Sequence, residues 1–268
     1  MISRKQFAIP YALFLLSFVL TPLILIIVYS FTTSSWHFTL QNYKTIFTSA
    51  NMNTLVTSLF IAFATTAICL LIGYPLAYLL VDKKVNRSKV LIYFFIMPML
   101  INFVLRSNAT KELFQLINLD ARNNTLIYIA VIIAMVYDYL PFVILPLHST
   151  MLKLDKNLVE AASDLGARPS QVFTKAIIPM TIPGIISAAT MVFMPSMCSY
   201  VISDVFSNQK LQIMGNLINQ YFGQQQWNYG SAASIVLLLI LFILMRYTNR
   251  VNKQLDNKDE EKGGSKKW

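Results

Sequence analysis

The chain alternates between long apolar runs and short polar intervals rich in lysine and arginine. The runs lie at about Phe7–Phe31, Thr54–Val81, Val90–Leu105, Thr125–Met151, Ile178–Ser203 and Ser231–Tyr247. Runs of roughly 20 apolar residues match the length a helix needs to cross about 30 Å of hydrocarbon. In lipid the backbone must satisfy its own hydrogen bonds, which a helix does within one segment. The pattern therefore predicts an all-α, polytopic membrane protein with six transmembrane helices. The first run follows Arg4 and Lys5. It exceeds the apolar core of about 7–15 residues that a cleaved signal peptide carries, and no small-residue cleavage site follows it. It is expected to stay in place as the first span.

Composition sharpens this reading. Apolar residues make up 56% of the 268, charged residues only 13%, against about 25% charged in soluble domains, and the mean hydropathy is +0.55. A net charge of +10 raises the question of a nucleic-acid partner, and the positions of the cations answer it. With the N-terminus inside, 17 basic residues fall in cytoplasmic segments, and only Lys44, Arg106, Lys111, Arg122 and Lys210 fall outside. That asymmetry follows the positive-inside rule and orients both termini to the cytoplasm. The basic surplus is thus explained by topology, and no nucleic-acid partner is expected. Residues 1–6 read as a cytoplasmic N-terminus, 7–250 as the transmembrane domain, and 251–268 as a cytoplasmic, solvated tail of mixed charge.

Cys69 and Cys198 stand in apolar stretches without a CxxC or a neighbouring histidine pair, so they read as packed free thiols and no metal site is expected. No GxxxxGK[ST], HExxH or GxSxG occurs, and His37 and His148 lie far apart. Nothing in the chain cradles ATP phosphates in the usual way, and an enzymatic reading has no residues to rest on. Prolines 75, 98, 141, 146 and 195 interrupt the runs. Each removes a backbone donor, and the freed carbonyl needs a protein or water partner. They point to a bundle that bends or lines a pathway.

The interval Lys153–Pro179, KLDKNLVEAASDLGARPSQVFTKAIIP, is unusually well punctuated. Asn157 with Glu160 fits a capping box, Leu158–Leu165 would form two helical turns, and Gly166 suits the left-handed position after them. Pro169 can open a second helix. The small side chains of Ala161 and Ala162 would leave a face for close contact. These residues resemble the EAA motif of ATP-binding cassette importer permeases: Glu-Ala-Ala at 160–162, three residues, Gly166, then Pro179 thirteen later. Ala176 and Ile178 depart from that pattern but stay apolar.

The resemblance spans roughly Phe7–Asn252. It narrows toward the spermidine/putrescine type, B subunit, on GYPLAYLL (73–80), LPFVILPLHSTMLKLDKNLVEAASDLGA (140–167), IIPMTIPGII (177–186) and YVISD (200–204). It implies the type I importer permease fold, with a cytoplasmic coupling helix in segment 153–179. Glu160, Ala161, Ala162, Asp164 and Gly166 would contact an ATPase subunit. It also implies a second homologous permease, two copies of an ATP-binding subunit that hold the ATP and Mg, and an extracytoplasmic polyamine-binding protein, all set in a lipid bilayer. This chain itself would hold no cofactor. The segment Asn102–Thr125 is shorter than the resemblance leads one to expect, so substrate contacts placed there are not carried over.

Acids within a span are costly and face a partner or a watery path. Asp138, with Tyr137 and Tyr139 beside it and Pro141 freeing the Tyr137 carbonyl, offers charge, hydrogen bonding and aromatic faces to an ammonium. A structural pairing of Asp138 within the bundle is the alternative. Asp204, one turn after Tyr200, closes the fifth run on the outer side within the stretch that carries the resemblance and is the preferred candidate for guiding a cation. Permeases for iron, phosphate or amino acids remain alternatives, although an anion path should present basic residues. A secondary transporter would need more spans or internal repeats, and a membrane scaffold would leave the punctuated segment unexplained.

Overall fold

The structure is a computed structural model. It describes residues 10–11, 13–82, 90–116, 123–154, 157 and 164–264, with only the backbone described at 124 and over 253–264. Glu160, Ala161 and Ala162 lie outside the described residues, as do 1–6 and 265–268.

Ten helices are described: α1 Leu13–Ser30, α2 Gln41–Ile46, α3 Ser49–Val81, α4 Leu91–Leu100 and α5 Phe103–Leu116. They continue with α6 Asn124–Leu152, α7 Pro169–Cys198, α8 Tyr200–Ser207, α9 Met214–Gly223 and α10 Trp227–Gly264. Among the described residues the one β-contact is an isolated bridge between Thr32 and Phe38. Five helices are long and apolar enough to span a bilayer, α10 over Trp227–Asn252, and α4 with α5 makes a sixth crossing if the bent pair is counted as one.

Two departures from the apolar pattern matter. The third run is not a straight span over Val90–Leu105: α4 stops at Leu100, and α5 leaves at 102° to it. The fifth run does not continue to Ser203; α7 ends at Cys198, Ser199 turns the chain (φ −78, ψ 63), and α8 begins at Tyr200. Cys198, expected to be packed, is exposed, whereas Cys69 is buried.

The bundle centres on α3, α6 and α7. Ile61 and Cys69 of α3, Val131, Met135 and Val143 of α6, and Val192 of α7 are buried together in one cluster. A second cluster joins Ala62 and Met197 to Met214 of α9 and to Ala232 and Ala233 of α10. Lipid tails are as apolar as leucine, so membrane helices associate by close packing at small residues. Gly73 lies where a Cβ would stand 2.6 Å from Val143 Cγ1, and Gly184 where one would stand 2.8 Å from Thr150 Cβ. These glycines let α3 and α7 approach α6 on either side. Large side chains cover the outer surface: Phe63 is 69% and Leu71 76% exposed, as expected of a face turned to hydrocarbon.

Helix α1 buries little of its apolar side and is fixed at its end instead. Its last carbonyls would lack partners. Asn42 Nδ2 donates to Ser30 O and Thr32 O (both 2.9 Å), and Asn228 Nδ2 donates to Tyr29 O (3.0 Å) and Thr32 O (2.6 Å). Two side-chain amides thus pin the first helix to α2 and α10.

Candidate functional site

The break in the third run has a local cause. Pro98 lies in a 3₁₀ turn over Met97–Leu100, and Ile101 is extended. Asn102 then restarts the helix as its N-cap, its Oδ1 accepting from the N–H groups of Val104 (2.9 Å) and Leu105 (3.4 Å). This places Arg106 in the first turn of α5, 9% exposed, and not in an outer loop as the charge pattern suggested.

Arg106 Nε stands 2.6 Å from Asp138 Oδ1, and Asp138 is 3% exposed. Arg106 Nη1 donates to the Pro98 carbonyl. Its guanidinium carbon lies 5.8 Å from the centre of the Tyr137 ring, in the range of a cation–π contact. Tyr139, 8% exposed, reaches the Ser199 side chain where α7 gives way to α8. Two broken helices therefore converge on one turn of α6. The level is deep: Cys69 Sγ, well inside α3, contacts Val136 O at 3.7 Å. Irregular backbone at such depth is tolerated where protein buries it or where it lines a watery cavity. A cavity of about 490 Å³ opens here, lined in part by Asn102, Phe103, Arg106, Asp138, Tyr139 and Phe142. A lone acid here would be costly; the arginine neutralises it.

Asp204 and Tyr200 form a separate group on α8. Asn216 Nδ2 donates to Asp204 Oδ1 at 2.6 Å and to Tyr200 O at 3.3 Å. Asp204 is half-buried, and this burial raises its carboxyl above the usual range, opposed in part by the Asn216 bond. Helix α8 is held to α5 by a Phe114–Phe206 ring contact (5.2 Å) and by Lys111 Nζ donating to Asn208 Oδ1 (2.8 Å).

The third group lies at the opposite end of α6, past Lys153. Gly166 has φ +80, with none of the described residues within 4 Å of where a Cβ would stand, and Asp164 is exposed. Pro169 begins α7, and the Arg168 N–H is taken by Gln171 Oε1 at 3.0 Å. A π-helical turn follows over Phe173–Ile177. Phe173 meets the rings of Tyr74 (5.7 Å) and Tyr78 (5.3 Å) edge-on, and the Tyr74 hydroxyl bonds Thr181 Oγ1 at 2.8 Å. The punctuated segment is thereby clamped to the end of α3.

Of the residues expected from sequence, Asp138, Tyr137 and Tyr139 share one site, Asp204 and Tyr200 a second, and Asp164 and Gly166 a third. Arg106 and Asn216 were missed. Pro98 followed by Asn102 was a readable helix stop and start that would have put Arg106 inside the bundle; for Asn216, one turn into a helix far along the chain, no local signal exists.

This broken-helix bundle is the fold of importer permeases, and the chain belongs to the family described as binding-protein-dependent transport system inner membrane component, which matches residues 89–257. It is the permease subunit of an ABC importer and a multi-pass inner-membrane protein. It is 33% identical to the spermidine/putrescine transport system permease protein PotB of Haemophilus influenzae, over 92% of this chain and 93% of that one. It is 34% identical to PotB of Escherichia coli K12, covering 83% and 86%. Among solved structures it resembles a chain of a bacterial alginate ABC transporter (TM-score 0.76, 12% identity, 94% of each chain). It also resembles a chain of the MetNI methionine ABC transporter (TM-score 0.61, 18% identity, 78% of this chain and 99% of that one). At these identities the structures speak to the fold alone.

Proposed function

We propose that this permease imports polyamines of the spermidine and putrescine class, handed over by an extracytoplasmic binding protein. The observation that carries the reading is the 33% identity to a spermidine/putrescine permease along 92% of the chain. The site chemistry supports it. Asp204 beside Tyr200 would guide an ammonium inward, and Asp138 with Tyr137 and Tyr139 would receive it through charge and ring faces. The complex would hold a second homologous permease and two copies of an ATP-binding subunit, which would bind ATP and Mg; this chain would bind neither. Segment 153–179 would be the coupling element, with Glu160, Ala161, Ala162, Asp164 and Gly166 against the ATPase, and both termini would lie on that cytoplasmic side.

Arg106 on the wall of the same cavity favours a second reading, a permease for an anionic solute such as phosphate. Vesicles carrying the reconstituted complex distinguish them. We expect ATP-dependent and binding-protein-dependent uptake of labelled spermidine or putrescine, competed by polyamines and not by phosphate, iron or amino acids. Uptake of one of those solutes without polyamine uptake would overturn the proposal.

A further inference from the structure

The guanidinium of Arg106 is held by an anionic oxygen of Asp138, the Pro98 carbonyl and the face of Tyr137. Those three acceptors are the set that recognises a primary or secondary ammonium: a carboxylate, a neutral oxygen and a π-face. The arginine thus occupies a ready-made cation site, and the adjoining cavity of about 490 Å³ lies within the roughly 300–1,000 Å³ of ordinary ligand sites. The two ends of the ion pair also sit on separate supports. Asp138 belongs to the packed centre of α6, whereas Arg106 rides on α5, which follows a 102° bend and leans on α8. Movement of α5, which rests on the core through Phe103 and Phe114, would withdraw the guanidinium while Asp138 stays on α6.

From this we infer that Arg106 is a built-in substitute for the substrate's ammonium, and that a passing cation exchanges with it on Asp138. A buried carboxylate left bare is strongly unfavourable, whereas trading one cation for another keeps it paired throughout. Arg106 would close the acid site when no substrate is present and would set the threshold a cation must exceed to enter. An anion would instead have to take Arg106 and leave Asp138 unpaired. The inference deepens the polyamine reading and rests on it.

The test uses the assembled complex with its ATPase subunits. In the double variant R106M/D138N both charges are gone, so a merely structural pair is replaced without leaving a bare charge. Exchange predicts normal assembly by size exclusion with polyamine uptake at least tenfold lower; wild-type uptake by that variant would overturn it. R106K keeps the charge but weakens the hold, since a lysine ammonium lacks the planar fork. Binding of labelled spermidine to the detergent-solubilised R106K complex, without the binding protein, should tighten several-fold. Unchanged binding would overturn the exchange even if the double variant fails to assemble. If the unsubstituted complex takes up no polyamine at all, the cation reading itself falls, and the exchange with it. That outcome is distinct from normal polyamine uptake by R106M/D138N.

Discussion

Gly166 offers the cleanest perturbation of the proposed coupling segment, because its cost is purely a backbone one. Its φ is +80, and a Cβ there would meet none of the described residues within 4 Å. A substitution therefore clashes with none of the described residues, and the backbone penalty is that of holding an L-residue in the left-handed region, about 1–2 kcal/mol. That corresponds to a factor of about 5–30 in the population of the turn. Valine, β-branched, should exceed this range, and asparagine, which tolerates the left-handed region, should fall below it. For Gly166→Val in proteoliposomes we expect the complex to assemble and hydrolyse ATP while solute moved per ATP falls on the order of tenfold. Gly166→Ala should lie between, and Gly166→Asn should stay near wild type. The reasoning is refuted if Val supports a wild-type ratio of uptake to hydrolysis, or if Asn and Val are equally impaired. In the latter case the side chain lost or gained, and not the turn, would be what matters.

Three further outcomes follow from contacts elsewhere. Gly184→Ala should lower the thermal stability of the solubilised complex, by about 1–3 kcal/mol as typical for overpacking. Adding Thr150→Ala should not rescue it, because the 2.8 Å encounter is with Thr150 Cβ. Acidification should reduce uptake from a pH above the usual carboxylate range, since burial raises the Asp204 carboxyl and protonation removes the charge offered to a cation. Asp204→Asn should lower uptake at neutral pH with assembly intact and should flatten that acid limb; an unaltered pH profile in the variant would exclude Asp204 as its source. Tyr74→Phe keeps the ring against Phe173 but loses the 2.8 Å bond to Thr181. It should cost about 0.5–1.5 kcal/mol by calorimetry.

What could be read from the sequence and what could not divides along a physical line. Apolar length is a local property, and it located α3 and α6 to within five residues; it found α1, α7 and α10 too, but α7 begins at Pro169, nine residues before its run, and α10 continues well past Tyr247. The turn at Gly166 and the helix start at Pro169 were equally legible, because glycine's freedom and proline's missing donor act within one or two residues. The break at Ile101–Asn102 was less legible, since the residues from Val90 to Leu105 are apolar apart from Asn102 and their length outweighed the stop signal of Pro98 and the cap at Asn102. The same misreading sent Arg106 to a loop. Asp138 was recognised as an unusual residue, and a structural pairing was weighed, but its partner could not be named. That partner comes from another helix, and only the 102° bend brings it there. The step from Cys198 to α8 left little trace either, because Tyr200–Ser207 continues an apolar helical pattern after Ser199.

The two breaks meet at one turn of α6. A straight third span would carry Arg106 further along the bilayer normal, away from Asp138, and a straight α7 would run its serine and tyrosine past Tyr139 without meeting it. Both irregularities leave backbone groups that helices normally satisfy, a net cost in lipid unless the freed groups find work. At the first break they do, since the Pro98 carbonyl accepts from Arg106; at the second it is the Ser199 side chain that meets Tyr139. The acid on α6 is thus the point around which two interrupted helices are arranged. Both segments after the interruptions pack on the same core, α8 through Ile202 and Phe206 and α5 through Phe103 and Phe114. On the proposed reading of Asp138 as the recognition group, its covering groups ride on α5 and at the α7–α8 junction, placed there by Pro98, Asn102 and Ser199.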